Sequence, residues 1–115
     1  MIRHDEAYEV DIRENMRGGQ GTVKIEHLWK KDELKGKTRL CARLTLEPGC
    51  GIGFHEHVGE EEVFYVISGQ GRVQDGDEAV AVGAGDTILT GDGSGHAVEA
   101  SGDEPLVMLA VIVQY

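Results

Sequence analysis

Proline is almost absent from this chain: Pro48 and Pro105 are the only two in 115 residues, against 17 glycines. Aromatic side chains are scarce too, at 5%, so neither a proline-rich extended segment nor an aromatic platform for single-stranded nucleic acid fits the composition. No apolar run approaches the roughly 18 residues of a membrane span, and residues 1–6 carry no hydrophobic signal core. A soluble, cytoplasmic protein without a membrane partner is expected. Cys41 and Cys50, the only cysteines, lie nine apart and outside any CxxC pattern. That spacing disfavours a thiolate zinc site and reads as two reduced, partly buried thiols.

Positive charge is missing from most of the chain. Residues 1–43 hold 10 basic and 8 acidic side chains, whereas beyond them Arg72 stands alone against 13 acids. The formal charge of −10 therefore resides in the carboxyl two thirds, which would repel phosphate backbones, so no nucleic-acid partner is expected. An arginine that grips an anionic substrate must come mainly from the amino third.

At this length the chain forms one domain, 1–115, that buries roughly 65% of the surface exposed when unfolded, enough for a core without obligatory staples. Glycines punctuate short alternating segments, an all-β pattern. Strands are expected over 23–29, 39–46, 62–67, 72–75, 79–82, 86–90, 96–100 and 106–113, preceded by an arm over about 1–22. Residues 5–15 are the one stretch where a short helix stays open. Residues 63–67 and 106–113 are apolar at successive positions, so both faces of those strands need cover, from the arm or from a second copy of the chain. A homodimer is expected.

The stretch from Gly49 to Glu62 carries the chemistry. His55 and His57, two apart on a strand, present both imidazoles on one face and can share a metal ion. Glu62 opens the following strand, where its carboxylate could reach the same ion, and His96 offers a third imidazole from a distant strand. Three imidazoles and a carboxylate suit one divalent transition metal, whether manganese, iron, nickel, cobalt, copper or zinc, and suit calcium and magnesium poorly. Glu56, between the histidines, faces out. Glu60 and Glu61, at the turn, are the candidate proton shuttles and the only catalytic candidates. His4 and His27 read as surface or hydrogen-bonded histidines.

These residues resemble the first cupin motif, G-x5-H-x-H-x3,4-E-x6-G, met in full by Gly49, His55, His57, Glu62 and Gly69. The second, G-x5-P-x-G-x2-H-x3-N, is met by Gly85, Gly93 and His96, with Gly91 in place of the proline and Ala100 in place of the asparagine. The motifs cover 49–100. The resemblance implies a small double-stranded β-helix, jelly-roll-like, with the metal held by His55, His57, Glu62 and His96. Residues 16–21 followed by a strand, in so short a chain, are also similar in layout to small bacterial cupins of the oxalate decarboxylase kind.

A hairpin pairing Ser68 with Gly71 would set Val66 opposite Val73. With Glu62 facing inward, Phe64, Val66, Val73 and Asp75 then follow, while Val63, Tyr65, Ile67 and Arg72 face out. On the preceding strand Arg39, Cys41, Arg43 and Thr45 share a face whose direction parity cannot fix. Arg43 is the candidate to point inward and grip a carboxylate, with Phe64 lining the substrate pocket. A metal-dependent enzyme on a small organic acid or related oxygenated compound is the leading reading, whether decarboxylase, isomerase, lyase or dioxygenase. A non-catalytic metal-containing module that binds or senses a small ligand is the alternative.

Overall fold

A computed structural model describes all residues, Met1–Tyr115. Ten strands run in chain order: β1 (Glu9–Glu14), β2 (Thr22–His27), β3 (Thr38–Leu46), β4 (Gly51–Glu56), β5 (Glu60–Ser68), β6 (Gln70–Asp75), β7 (Glu78–Gly83), β8 (Thr87–Gly91), β9 (Gly95–Ala100) and β10 (Leu106–Gln114). They form two sheets, a six-stranded β1-β2-β3-β10-β5-β8 and a four-stranded β4-β9-β6-β7, in which neighbouring strands pair antiparallel. This is an all-β, single-domain double-stranded β-helix. The stretch left open for a helix contains only a 3-10 turn at Asp5–Ala7 before the edge strand β1.

Alternation places one face of each central strand between the sheets. Ala42, Leu44 and Leu46 of β3, Phe64 and Val66 of β5, and Leu106, Met108 and Ala110 of β10 meet Ile52, Val73, Val98 and Ala100 of the smaller sheet in one apolar core. At one end this inner face turns polar: His57, Glu62, Thr90 and His96 are all buried there.

The segment 62–75 does not fold as the expected hairpin. β5 pairs with β10 and β8, and β6 with β7 and β9, so the chain crosses from one sheet to the other between Ser68 and Gln70. Gly69 makes that crossing with φ +83°, and a β-carbon there would collide with the Pro105 carbonyl. Phe64, Val66 and Val73 still face inward, because each strand keeps its own period of two. Asp75 shares that parity but lies exposed at the end of β6.

The outer face of the large sheet is the second departure. Neither the arm nor any other element covers it: Val63, Tyr65 and Ile67 of β5 are 39–48% exposed, and Leu89 of β8 is 66% exposed. Val111 of β10 lies beside Val63 and Cys41 in register, extending the apolar surface across three strands.

Candidate metal centre

Two β-bulges aim the side chains that matter. In β4 and β9, Ile52 is opposite Val98 and His55 opposite His96, so Gly53 and Phe54 together face Ala97 alone. The extra residue reverses parity, and Ile52, His55 and His57 all turn inward while Phe54 and Glu56 are exposed. In β3, Leu40 pairs with Ile112 and Thr38 with Val113, leaving Arg39 as the additional residue. Its side chain reaches the inner cavity beside Leu40.

The four ligand candidates converge. His96 Nε2 lies 3.1 Å from both His55 Nε2 and His57 Nε2. Glu62 Oε1 is 3.0 Å from His57 Nε2 and 3.1 Å from His96 Nε2. One ligand atom from each residue falls within 4.8 Å of all the others.

Hydrogen bonding fixes which nitrogens of His55 and His57 carry protons. His55 Nδ1 lies 2.8 Å from the Gly53 carbonyl, which only accepts, so His55 donates through Nδ1 and its Nε2 bears a lone pair. His57 Nδ1 donates to Glu60 at 2.6 Å with the same result. His96 Nδ1 bonds the Thr90 hydroxyl at 2.9 Å, and Phe64 stacks flat on the His96 ring, 5.0 Å between centroids. The lone pairs of His55 and His57 and the Glu62 carboxylate oxygen thus crowd one centre, with His96 Nε2 beside them. A cation resolves that repulsion. With metal–ligand bonds of about 2.1 Å, neighbouring ligands sit about 3.0 Å apart on an octahedron and about 3.4 Å apart on a tetrahedron. Four of the ligand separations, at 3.0–3.1 Å, are of that order, so these residues would fit a single divalent cation. Burial, foremost, pushes the His55 imidazolium toward deprotonation, keeping a neutral ring available as a ligand.

The carboxylate behind His57 is held from the other side. Arg39 donates to Glu60 through Nε and Nη2, both at 2.8 Å. That bidentate pair, followed by the bond from His57, lowers the Glu60 carboxyl to about 2. Both Glu60 oxygens are therefore engaged and ionised. Glu61 turns to the exposed outer side of β5. Neither borders the cavity in front of the ligands, so neither stands where a proton shuttle was expected.

That cavity, about 420 Å³, is bordered by His55, His57, Glu62, Phe64 and the inner faces of β2 and β3. Phe64 is where the sequence placed it. Arg43 is not: it lies on the outer face, where Nε and Nη2 donate to Glu26 at 3.0 and 2.9 Å and Nη2 also meets Asp5. Strict alternation from the buried Ala42 and Leu44 turns it away from the cavity. The cations on the cavity wall are instead Arg13, Arg17 and Arg39. Arg39 was read on the same face as Arg43, and only the bulge separates them. Arg13 and Arg17 were legible as no more than the basic surplus of the amino third.

Arg17 is placed by glycine contacts. The turn at Met16–Gly18 packs against β4 so closely that a β-carbon on Gly53 would strike the Arg17 carbonyl, and one on Gly19 would strike the Gly51 carbonyl. Arg17 itself adopts φ +55°, a left-handed conformation that the dense contact maintains against a cost of about 1 kcal/mol or more. Cys41 and Cys50 are half-buried free thiols, and burial pushes the Cys41 thiol up.

Residues 42–112 match the family model described as Cupin domain. The chain is 42% identical over 99 residues to a Thermotoga maritima protein named oxalate-binding protein, covering 86% of this chain and 82% of that one. Its structure superposes on the crystal structure of a predicted oxalate decarboxylase from Thermotoga maritima with a TM-score of 0.95, 37% identity and complete coverage of both chains. A cupin 2 conserved barrel domain protein from Salinispora arenicola shares the fold, with a TM-score of 0.74, 21% identity, and 99% of this chain and 87% of that chain covered. With its motif residues gathered at one end of a double-stranded β-helix, this chain belongs to the cupin family.

Proposed function

We propose that this protein is a metal-dependent enzyme on small organic acids of oxalate size, of the decarboxylating kind, with one divalent transition metal held by His55, His57, Glu62 and His96. The observation that carries this reading is the shared cavity: the four-residue cluster opens into a space whose wall bears Arg13 and Arg17, neither of them paired with a carboxylate. In a chain of charge −10, unpaired cations facing a small chamber favour an anion as its occupant. A cation bound at the cluster supplies Lewis acidity toward carboxylate oxygens. Arg13 and Arg17 offer planar donors to the remaining oxygens, and Phe64, Leu44 and Ile112 keep the chamber too apolar for a sugar phosphate. The Thermotoga relatives, one named for oxalate binding and one for predicted oxalate decarboxylation, agree with this ligand class.

A second reading, a binder without turnover, is favoured by the commitment of both Glu60 oxygens, which takes that carboxylate out of proton transfer and leaves Glu14 as the free carboxyl on the cavity wall. Metal-restored protein offered a panel of small mono- and dicarboxylates separates the two. The enzyme releases carbon dioxide from a substrate that binds only with metal present. Saturable binding without product assigns the protein to the second class, and no metal-dependent binding at all sinks both.

The uncovered apolar face of the large sheet supports a homodimer, closed by two copies of the β5, β8 and β10 surface. No helix is long and apolar enough to cross a membrane. Two free thiols accord with a reducing, cytoplasmic location.

A further inference from the structure

The cavity wall carries a further titratable residue, His27, that the metal cluster does not use and that is paired with a carboxylate behind it. Alternation along β2 turns Val23, Ile25 and His27 inward, and β1 lies antiparallel beside it with Asp11 opposite Ile25. Asp11 Oδ2 and His27 Nε2 are 2.7 Å apart. His27 borders the same cavity as His55, His57 and Glu62, on the β2 wall near Arg13 and Arg39. The carboxylate accepts the Nε2 proton, and this bond, foremost, holds the Asp11 carboxyl below its usual range. Nδ1 makes no hydrogen bond within the protein, and since every buried side-chain nitrogen has a partner, Nδ1 is reachable.

The charges around the ring are largely spoken for. Lys30 pairs with Glu9, Arg39 with Glu60 and Arg3 with Glu33. Lys31 and Asp32 lie at the rim with opposite signs. Asp11 is then the carboxylate in contact, while Arg13 and Arg17 are the unpaired cations and Glu14 the unpaired carboxylate on the wall of the same cavity.

We propose that the Asp11–His27 pair is the second anchoring point for an anionic ligand of this cavity. Asp11 holds the ring by one nitrogen, and the ligand binds at the other with uptake of a proton by the imidazole. This rests on the small-acid reading above and deepens it. Imidazole is the side chain that changes charge near neutrality. The arm thereby does more than extend the sheet: it supplies the group that makes affinity depend on pH. The pair lies outside the residues that carry the family motifs.

Calorimetry of oxalate binding to metal-restored protein, repeated at pH 7 in buffers of different ionisation enthalpy, reads the proton directly. Wild type is expected to take up a sizeable fraction of about one proton per ligand, and His27→Gln none, with affinity reduced about tenfold. Asp11→Asn keeps an acceptor for Nε2 but loses the charge, so its affinity falls at pH 7 and recovers toward that of wild type at lower pH. Equal affinity and equal proton uptake in wild type and His27→Gln would overturn the anchoring role while leaving the small-acid reading intact. If wild type fails to bind oxalate or any other small carboxylate with metal present, that reading falls and the anchor falls with it. Proton NMR of the His27 ring gives an independent check: a slowly exchanging, downfield Nε2 proton in wild type that is lost in Asp11→Ala supports the pair, and its absence in wild type refutes it.

Discussion

Glu60 accepts a hydrogen bond from His57 Nδ1 at 2.6 Å, and that bond orients a lone pair of the opposite nitrogen at the metal centre. Carboxylates behind ligand histidines commonly control affinity for the ion. Glu60→Gln retains an oxygen but removes the charge, and metal affinity measured by chelator competition should fall about 10- to 100-fold. Arg39→Met leaves Glu60 ionised and less firmly held, so a smaller loss is expected. Unchanged affinity in both variants would show that His57 is oriented by its backbone alone.

Metal binding should also be visible as stability. A ligand of the folded state alone, present at about 100 times its dissociation constant, adds about 2.7 kcal/mol, which for a domain of this size raises Tm by roughly 10 °C. Wild type should show that rise when a divalent transition metal is restored to chelator-treated protein. His96→Ala should not, since His96 Nε2 lies within 3.1 Å of both His55 and His57 and its loss opens the ring of ligands. A comparable rise in the variant would mean that the ion binds elsewhere.

The ligand set was legible because it is written locally. A histidine pair two apart needs only a strand to share a face, and Glu62 and His96 stand at spacings that the cupin motifs fix. The cavity wall was not legible, for two physical reasons. Its cations come from an arm whose placement depends on contact with β4, and from Arg39, whose direction is set by one unpaired residue in β3. A bulge costs no characteristic residue, so alternation carried Arg43 inward when the strand had already committed it to Glu26. The glycines at 69 and 71 misled in a similar way: they mark a sharp change of direction, and only packing decides whether the chain returns to its neighbour or crosses to the facing sheet. Successive apolar residues in β5 and β10 do place apolar side chains on both faces, and the outer ones of β5 stay exposed in the single chain.

That uncovered face leads to a test of association. Val63, Tyr65 and Leu89 stand in register with Val111 and Leu109 on the outer side of the large sheet. A stable dimer buries about 800 Å² per partner, and charges introduced in its apolar centre are costly to desolvate. Sedimentation at micromolar concentration should give a dimer for wild type and a monomer for the double variant Tyr65→Glu, Leu89→Glu. A monomeric wild type removes the homodimer.

Acid should destabilise the fold in a defined window. Glu33 is lowered to about 2 chiefly by its bonds to Arg3, Glu60 to about 2 chiefly by Arg39, and Glu26 is lowered chiefly by Arg43. Each binds a proton less readily when folded, so each contributes stability that is full above the unfolded carboxylate value and disappears as pH falls through the folded one. Denaturant midpoints should therefore decline progressively between about pH 4.5 and pH 2, on top of an earlier loss that begins below about pH 6.5 because burial disfavours the His55 imidazolium in the fold. Arg39→Met should flatten part of that decline. A midpoint that is flat over the whole acid range would contradict the ion pairs.

Gly53 ties the arm to the metal centre, and its substitution should separate placement of the arm from assembly of the barrel. Its carbonyl holds His55 Nδ1 at 2.8 Å, and its missing side chain lets the Arg17 carbonyl approach. Gly53→Ala puts a methyl group into backbone that cannot rotate away, so the turn at Met16–Gly18 must lift from β4. Overpacking of this kind costs about 1–3 kcal/mol, within the stability of an ordinary domain. The variant should fold with a reduced Tm, bind metal with modest loss and bind a small carboxylate far more weakly, because Arg17 and the cavity rim move together. Gly18→Ala has open space around its β-carbon, although its φ of +81° is strained, and serves as the comparison: loss of stability without loss of carboxylate binding. If Gly53→Ala binds the carboxylate as wild type does, the arm is a structural edge alone, and the cavity's selectivity must come from the barrel residues behind it.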